Sequence, residues 1–176
     1  MTKKEREFIA TVKAFYRRHK RRKLPWRHTK NPYHILVSEI MLQQTQVDRV
    51  LPKYELFLRT FPTLDVLHAS PLSAVLRTWQ GLGYNRRAKM LHECAKTIVN
   101  NYGGLTPGTY EELTALPGVG HYTAGAVMAF AYNTAIPIIE TNIRSVYLHH
   151  FFAYDMEVTD ADILPLVERT LDRKNP

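Results

Sequence analysis

The sequence predicts an all-α protein, and three observations support this fold class. Apolar residues recur at intervals of three and four through most of the chain, which is the period of an amphipathic helix. No segment shows the clear alternation of apolar and polar residues that is typical of a strand. Glycine and proline separate the periodic segments, and no repeat or low-complexity linker interrupts them.

Local signals set the helix bounds. The predicted helices cover residues 5–19, 33–47, 48–58, 70–78, 85–100, 109–116, 122–132, 141–152 and 159–171. The first places Phe8, Ile9, Val12, Phe15 and Tyr16 on one face. Ser70 followed by Pro71 is typical of an N-cap with a first-turn proline, and Thr109 with Glu112 is a capping box.

Length and composition limit the class of protein. A chain of 176 residues with 45% hydrophobic residues can form one domain, or one compact unit of two helical lobes around a cleft. No apolar run approaches the length of about 18 residues that a transmembrane helix needs. Because the N-terminus is charged and has no apolar stretch behind it, we expect no signal peptide and a cytoplasmic location.

The single cysteine, Cys94, excludes an intramolecular disulfide and any zinc or iron–sulfur site that needs several thiolates. It lies among apolar residues of a predicted helix, and we interpret it as a small core residue. His149 and His150, with the nearby acids Asp155, Glu157, Asp160 and Asp162, suggest metal ligands at first sight. We interpret them instead as a solvated surface and predict no metal site.

The net charge of +8 is unevenly distributed. Residues 1–30 hold 12 of the 24 lysines and arginines, centred on Arg17, Arg18 and residues 20–23, but only two acids, Glu5 and Glu7. A basic segment of this strength is consistent with contacts to nucleic-acid phosphates. A solvated arm that promotes solubility explains the same charge equally well.

The segment 116–125 joins two predicted helices through a turn that contains Gly118, Val119 and Gly120, followed by His121. Glycine allows backbone conformations and close approaches that other residues do not. The N-terminus of the following helix presents unpaired N–H groups that can bind a phosphate without reading sequence. Leu116-Pro117 before the turn and small residues after it make this string more specific than a simple turn.

A second segment, 38–47, places Glu39 on a helix face with Ile35 and Leu36, close to Gln43. Desolvation there would raise the carboxyl pKa and let Glu39 act as a general acid near neutral pH. The alternative is a glutamate at the edge of a helix that points into water. In a third segment, 81–88, Tyr84 is either an aromatic wedge against nucleobases or a packing residue.

Together with 24–27 and 137–144, these segments make the chain resemble the helix-hairpin-helix (HhH-GPD) base-excision DNA glycosylases, and most of all the MutY-type adenine glycosylases. The matches run in family order from about residue 8 to 150. The resemblance implies two helical lobes, with 29–134 forming a six-helix lobe and 1–28 with 135–176 forming the other, and a base-flipping pocket between them.

The resemblance also assigns site residues. It implies that Glu39 protonates an extruded adenine, that Gln44 enters the DNA stack beside Gln43, and that Trp26 and Arg27 bind the base. Core packing explains Trp26 equally well. Glu140 replaces the aspartate that faces the cationic sugar in the family, so the longer acid marks a departure. Asn85 replaces the family's second tyrosine of the 81–88 segment.

The position of Tyr122 separates the activities found within the family. Strand-cleaving relatives carry a lysine there whose amine attacks the sugar, and a phenol cannot form that Schiff base. We therefore expect a monofunctional enzyme that leaves an abasic site. Two alternatives remain open, namely a glycosylase for thymine or uracil mispaired with guanine and a DNA-binding module without catalysis.

The resemblance implies hydrolytic chemistry that requires no cofactor. The hairpin carbonyl groups hold a monovalent cation in some relatives, so potassium or sodium is expected to be compatible with residues 116–121. Because Cys94 is the only cysteine, we expect no iron–sulfur cluster in this chain. The expected partner is double-stranded DNA with a mismatch or lesion, bound by a monomer and with no membrane involved.

Overall fold

The computed structural model describes residues 1–19, 23–153 and 157–176. Its helices are α1 (Lys3–His19), α2 (Pro32–Leu42), α3 (Val47–Thr60), α4 (Leu64–Ala69), α5 (Leu72–Trp79), α6 (Asn85–Tyr102), α7 (Tyr110–Thr114), α8 (His121–Tyr132), α9 (Thr141–Phe151) and α10 (Asp160–Thr170), with a 3-10 turn at Pro25–Arg27. The described residues contain no strand, so the predicted all-α class is confirmed. Within them, no helix combines the length and apolar character needed to cross a bilayer.

The helix prediction differs from the structure in three main respects. Helix α2 ends at Leu42 rather than at Val47, because the chain turns at residues 43–46 before α3 begins. Helix α4 was not predicted; its six residues are too few to show a clear period, and only the Thr63 cap, which accepts from Val66 N, marks its start. The N-cap of α5 is Pro71, since Ser70 ends α4.

The chain divides into two compact units. A central unit spans Leu24–Tyr132, and a terminal unit combines Met1–Lys23 with Asn133–Pro176. The predicted lobe boundary assigns residues 24–28 to the lobe of the termini, whereas in the structure they belong to the central unit. The cause is Trp26, which is buried and packs edge-on against Tyr54 with the ring centroids 5.2 Å apart.

Helix α2 lies at the centre of the central unit. Asn31 caps its N-terminus by accepting hydrogen bonds from Tyr33 N and His34 N, and Pro32 opens its first turn. The helix is buried almost all round, which is typical of a core helix. It packs against α8, α3 and α6, and the small residues 124–126 of α8 are buried. This packing holds the carboxyl of Glu39 inside the protein.

The core of the terminal unit forms around Phe8, Tyr147, Ile163 and Val167. The rings of Phe8 and Tyr147 lie 4.9 Å apart, and Arg169 Nε donates to Glu5 Oε1 at 2.9 Å. Of the apolar face predicted for α1, only Phe8 is buried, whereas the residues of the second half, Val12, Phe15 and Tyr16, are exposed. Residues 20–22 of the basic segment lie outside the described residues.

Candidate active site and nucleic-acid interface

Glu39 is a buried carboxyl in the last turn of α2. Glu39 is only 7% exposed, so the alternative of a glutamate that points into water is wrong. Burial removes water from the carboxylate and raises the pKa of Glu39 to about 7. At that pKa the group carries a proton in about half of the molecules at neutral pH, which is the property of a general acid.

Two neighbours oppose the effect of burial. A hydrogen bond from the Tyr122 side chain lowers the pKa of Glu39, and the positive charge of Arg27 lowers it further. Desolvation outweighs both, so the net direction is upward. Tyr122, at the start of α8, is 41% exposed, and Arg27 is also exposed. Both groups therefore lie where a buried carboxyl meets accessible surface, and both were predicted as site residues.

The turn after α2 presents the two predicted glutamines. Gln43 caps the helix, and its Nε2 donates to Thr123 Oγ1 of α8 at 3.4 Å. Gln44 has a φ of 54°, in the left-handed region that residues with a side chain rarely adopt. Its side chain is exposed. The backbone thus presents Gln44 to solvent while Gln43 is anchored to the helix that follows the hairpin.

Tyr84 occupies a comparable turn before α6. Its φ is 47°, again left-handed, and its ring is 62% exposed. Trp79 stabilises this turn, because its Nε1 donates to the carbonyl oxygen of Gly83 at 3.1 Å. An exposed aromatic ring on a supported turn favours the wedge interpretation over the packing one.

A cavity of about 700 Å³ joins these turns to the hairpin. Its lining residues are Ile40, Gln43, Gln44, Tyr84, Arg86, Arg87, Met90 and Gly118. Four predicted DNA-contacting residues from three distant segments therefore meet at one concave surface of the central unit. Glu39 precedes the lining residue Ile40 by one position on α2.

The hairpin between α7 and α8 has the predicted helix–turn–helix form. Val119 N donates to the carbonyl oxygen of Leu116 at 3.1 Å, and Ala124 N donates to that of Gly120 at 2.9 Å. Gly118 needs to be glycine for two reasons. Its φ is 77°, and a β-carbon there would lie only 2.6 Å from Cβ of Met90. Val119 is buried, whereas Gly120 and His121 are exposed.

The His121 side chain has a partner on the first helix of the hairpin. Its Nδ1 lies 2.9 Å from the hydroxyl of Tyr110, and the two rings stack at 6.1 Å. This contact orients the imidazole at the edge of the hairpin turn. Tyr110 is not predictable as a site residue, because nothing in a 3.6-residue period indicates a contact across the hairpin.

Glu140 lies in the terminal unit as the N-cap of α9. Its Oε1 accepts from Ile143 N at 2.8 Å, and its Oε2 accepts from Asn142 Nδ2 at 3.1 Å. The longer acid therefore retains a capping contact of the kind that aspartate usually makes. Both carboxylate oxygens have donors, which fixes the orientation of the negative charge.

No group of three metal-ligating side chains occurs in residues 1–19, 23–153 and 157–176. The rings of His149 and His150 lie 5.2 Å apart, and Asp155 lies outside the described residues. Burial raises the pKa of the Cys94 thiol to about 12, as expected for an inert core residue.

Two helices joined by a short glycine turn, in an all-α scaffold, define the class of helix-hairpin-helix proteins. Residues 37–164 match the HhH-GPD superfamily of base excision DNA repair proteins, and this chain belongs to that family. This confirms the resemblance on which the sequence analysis depended.

Individual relatives agree with this family. The chain is 38% identical over 96% of its length to the adenine DNA glycosylase of Buchnera aphidicola subsp. Baizongia pistaciae, and 47% identical over 73% of its length to that of Mycolicibacterium smegmatis. It covers 47% and 44% of those proteins, so the chain spans about half the length of the curated relatives it matches. A thermostable thymine-DNA glycosylase superposes with a TM-score of 0.86 at 30% identity, covering 96% of this chain and 78% of that one.

Proposed function

We propose that this chain carries the catalytic unit of a monofunctional DNA glycosylase that removes adenine mispaired with guanine or 8-oxoguanine. The observation that carries this proposal is the buried carboxyl of Glu39. Its pKa of about 7 lets it hold a proton at neutral pH, and it lies beside the exposed residues Tyr122 and Arg27. The adenine DNA glycosylase relatives support adenine as the base.

The reaction needs the base outside the double helix, because a glycosidic carbon within the duplex is out of reach of a side chain. Glu39 donates its proton to the extruded adenine, so the base leaves as a neutral molecule. The bond between the base and the sugar breaks, and its electrons remain with the base. The carboxylate of Glu140 stabilises the cationic sugar while water adds to the anomeric carbon. The added water releases one proton to solvent, and Glu39 takes up one proton from solvent, which restores the acid.

The central unit supplies the DNA contacts of this mechanism. The hairpin turn binds a backbone phosphate through its N–H groups and His121. Gln44 fills the space that the extruded base leaves, and Tyr84 replaces lost stacking as a wedge. The cavity that both residues line supports this assignment. Trp26 is buried against Tyr54, so Arg27 is the better candidate for a polar contact to the base.

Tyr122 supports a glycosylase without strand cleavage. A strand-cleaving mechanism needs an amine that attacks the sugar and forms a Schiff base, and the phenol of Tyr122 lacks that chemistry. Its hydrogen bond to Glu39 supports a different role, which is to stabilise the ionised form of the acid. The product is therefore an abasic site in an intact strand.

A second candidate keeps the scaffold and changes the base to thymine or uracil opposite guanine. The observation that favours it is the similarity to the thermostable thymine-DNA glycosylase over nearly the whole chain. A pyrimidine leaves without the purine protonation that Glu39 provides, so the mechanism would use Glu39 differently. The raised pKa of Glu39 favours adenine between the two.

We further propose that the chain acts on mismatched double-stranded DNA as a cytoplasmic monomer without an obligatory cofactor. The two compact units would form the two lobes of the family. A potassium or sodium ion at the hairpin carbonyls would strengthen phosphate binding without taking part in hydrolysis.

A panel of duplexes tests the function. The parent protein is incubated with strands that carry A opposite 8-oxoguanine or guanine, T or U opposite guanine, and a matched A·T pair, and then treated with alkali. We expect alkali-dependent cleavage at the mispaired adenine alone, with no cleavage before alkali. Glu39→Gln is the matched control, because it keeps the size of the side chain and removes the proton donor. Cleavage at T·G or U·G alone would establish the second candidate instead.

A further inference from the structure

One arginine at the start of α6 connects three segments of the central unit. The two terminal nitrogens of Arg87 donate hydrogen bonds to six acceptors. These are the carbonyl oxygens of Ile40 (3.1 Å), Met41 (3.0 Å), Gln43, Leu82 (3.4 Å) and Gly83 (3.4 Å) and the hydroxyl of Thr45 (2.9 Å). The first three lie at the end of α2, Thr45 lies in the turn that follows, and the last two precede Tyr84.

The contacts at α2 complete the end of the helix that carries Glu39. The last carbonyl groups of a helix have no partner within it, and the helix dipole makes that end negative. The guanidinium supplies both hydrogen-bond donors and a positive charge at this point. Arg87 thereby fixes the last turn of α2, one position after Glu39, against the start of α6.

The other contacts concern the two left-handed turns. Arg87 binds the residues on both sides of Gln44, namely the carbonyl oxygen of Gln43 and the hydroxyl of Thr45. On the other side it binds the carbonyl oxygens before Tyr84 and lies over the Tyr84 ring at 5.2 Å. Left-handed backbone at residues with side chains persists only where the surroundings hold it. One rigid guanidinium holds both turns at once.

We propose that Arg87 is a positioning residue that sets the distance between Gln44 and Tyr84, so that both enter the DNA stack together when the base is extruded. This inference rests on the proposed function. The planar guanidinium offers donors in fixed directions, and a lysine ammonium cannot serve two turns in the same geometry. Arg87 touches neither base nor sugar in this role. A group of this kind changes base extrusion more than DNA binding.

The experiment measures extrusion separately from excision. A duplex carries 2-aminopurine at the target position opposite guanine, and its fluorescence rises when the base leaves the stack. The protein is the Glu39→Gln variant, which binds without excising, alone and combined with Arg87→Met. We expect the combined variant to bind the duplex within about threefold of Glu39→Gln and to lose most of the fluorescence rise, since phosphate contacts dominate affinity. With Glu39 restored, we expect Arg87→Met to lower single-turnover excision about 100-fold, the effect of a displacement of about 1 Å.

Matched variants separate positioning from general stability. Arg59→Met removes the same charge from an exposed position in the last turn of α3 and should change neither signal. Arg87→Lys restores the positive charge but should not recover the fluorescence rise. Thr45→Val removes one of the six acceptors of Arg87 and should lower the fluorescence rise in part. This variant replaces Arg87→Met in the experiment if Arg87→Met does not fold. An adenine opposite an abasic analogue needs less unpairing, so the Arg87→Met defect should shrink there, whereas a folding defect would affect both substrates equally.

The outcomes distinguish the two proposals. A full fluorescence rise in the combined Glu39→Gln/Arg87→Met protein, or in Thr45→Val where that variant replaces it, overturns the role of Arg87. The role is also overturned if Arg87→Met lowers single-turnover excision equally for adenine opposite a base and for adenine opposite an abasic analogue. Absence of any rise with Glu39→Gln itself, together with no excision by the parent protein, counts against the proposed function.

Discussion

The side chain of Tyr122 donates a hydrogen bond to the buried carboxyl of Glu39, across the contact between α8 and α2. This bond stabilises the ionised carboxylate, while burial stabilises the neutral acid. Burial is the larger influence, and the resulting pKa of Glu39 is about 7. Burial and the Tyr122 hydrogen bond together therefore keep the pKa of Glu39 near neutral pH, where the carboxyl can both hold and release a proton.

Removing the Tyr122 hydroxyl should move the pH profile of excision upward. Tyr122→Phe deletes a contact that lowers the pKa of Glu39, so the protonated acid should persist to a pH above 7. Excision by a general acid is constant below its pKa and falls about tenfold per pH unit above it. Single-turnover rates from pH 5.5 to 9 measure the midpoint. Tyr102→Phe, at the end of α6, is the matched control; a midpoint that stays in place or falls in Tyr122→Phe would contradict the assignment.

The same carboxyl should make the fold less stable at high pH. The folded pKa of about 7 lies above the ordinary value of 4.5, so the folded state binds the proton more tightly than the unfolded chain. Stability is then unaffected below pH 4.5, falls as pH rises from 4.5 to 7, and is lowest above 7. At about 1.4 kcal/mol per pKa unit, the full cost is about 3 kcal/mol.

Glu39→Gln removes this titration and should therefore raise the free energy of unfolding at pH 8 by up to about 3 kcal/mol while changing it little at pH 4.5. Urea unfolding of both proteins at the two pH values provides the comparison. Equal stability differences at pH 4.5 and pH 8 would show that burial does not shift the pKa of this carboxyl.

The sequence places Glu39 on an apolar helix face, but only the resemblance to the family favours a buried acid over a glutamate that points into water. The 3.6-residue period places it on a face with Ile35 and Leu36, and the structure confirms its burial. The same period extended α2 too far, because Gln43 and Gln44 continue a good helical pattern. The chain turns there because tertiary contacts, with Arg87 and Thr123, compensate for a left-handed residue.

The role of Arg87 could not be predicted either, because it also depends on tertiary contacts. Its acceptors at the end of α2 lie more than 40 positions away in the chain, and no local pattern connects residues so far apart. Tyr110 was missed although it lies only 11 positions from His121, because the hairpin turn decides which faces meet. The spacing of apolar residues along a helix predicts which side chains are buried, whereas the contacts that shape the site depend on how the helices pack against one another.

Gly118 and Gly120 should respond differently to alanine. A β-carbon on Gly118 meets Met90 at 2.6 Å and faces a φ of 77°, whereas one on Gly120 has no atom within 4 Å. We expect Gly118→Ala to lower the free energy of unfolding by about 1–3 kcal/mol and Gly120→Ala to change it by less than about 1 kcal/mol. Thermal and urea unfolding measure both. A Gly118→Ala protein as stable as Gly120→Ala would show that the turn is less constrained than its geometry indicates.

Two variants separate the effect of the negative charge of Glu140 from the effect of its side-chain length. Glu140→Gln keeps an oxygen for the Ile143 N–H and removes the negative charge, so we expect a stable protein with excision lowered about 100-fold. Glu140→Asp keeps the charge and the preferred capping residue, and its excision rate should stay within about tenfold of the parent. Single-turnover rates on A opposite 8-oxoguanine give the comparison. Unchanged excision by Glu140→Gln would remove this carboxylate from the mechanism.

The contact between Tyr110 and His121 should contribute to DNA affinity through the orientation of the imidazole. When the Tyr110 hydroxyl donates to Nδ1, the neutral ring carries its proton on Nε2, where it can be donated to a phosphate oxygen. Tyr110→Phe should therefore weaken binding about threefold to tenfold, the loss expected for one oriented hydrogen bond. Fluorescence anisotropy with an A·G duplex measures the affinity, and the salt dependence should stay the same because no charge is removed. In a His121→Ala background, Tyr110→Phe should have no further effect, since the group that it orients is already absent. An additional loss of affinity in that background would mean that Tyr110 acts on the hairpin independently of His121.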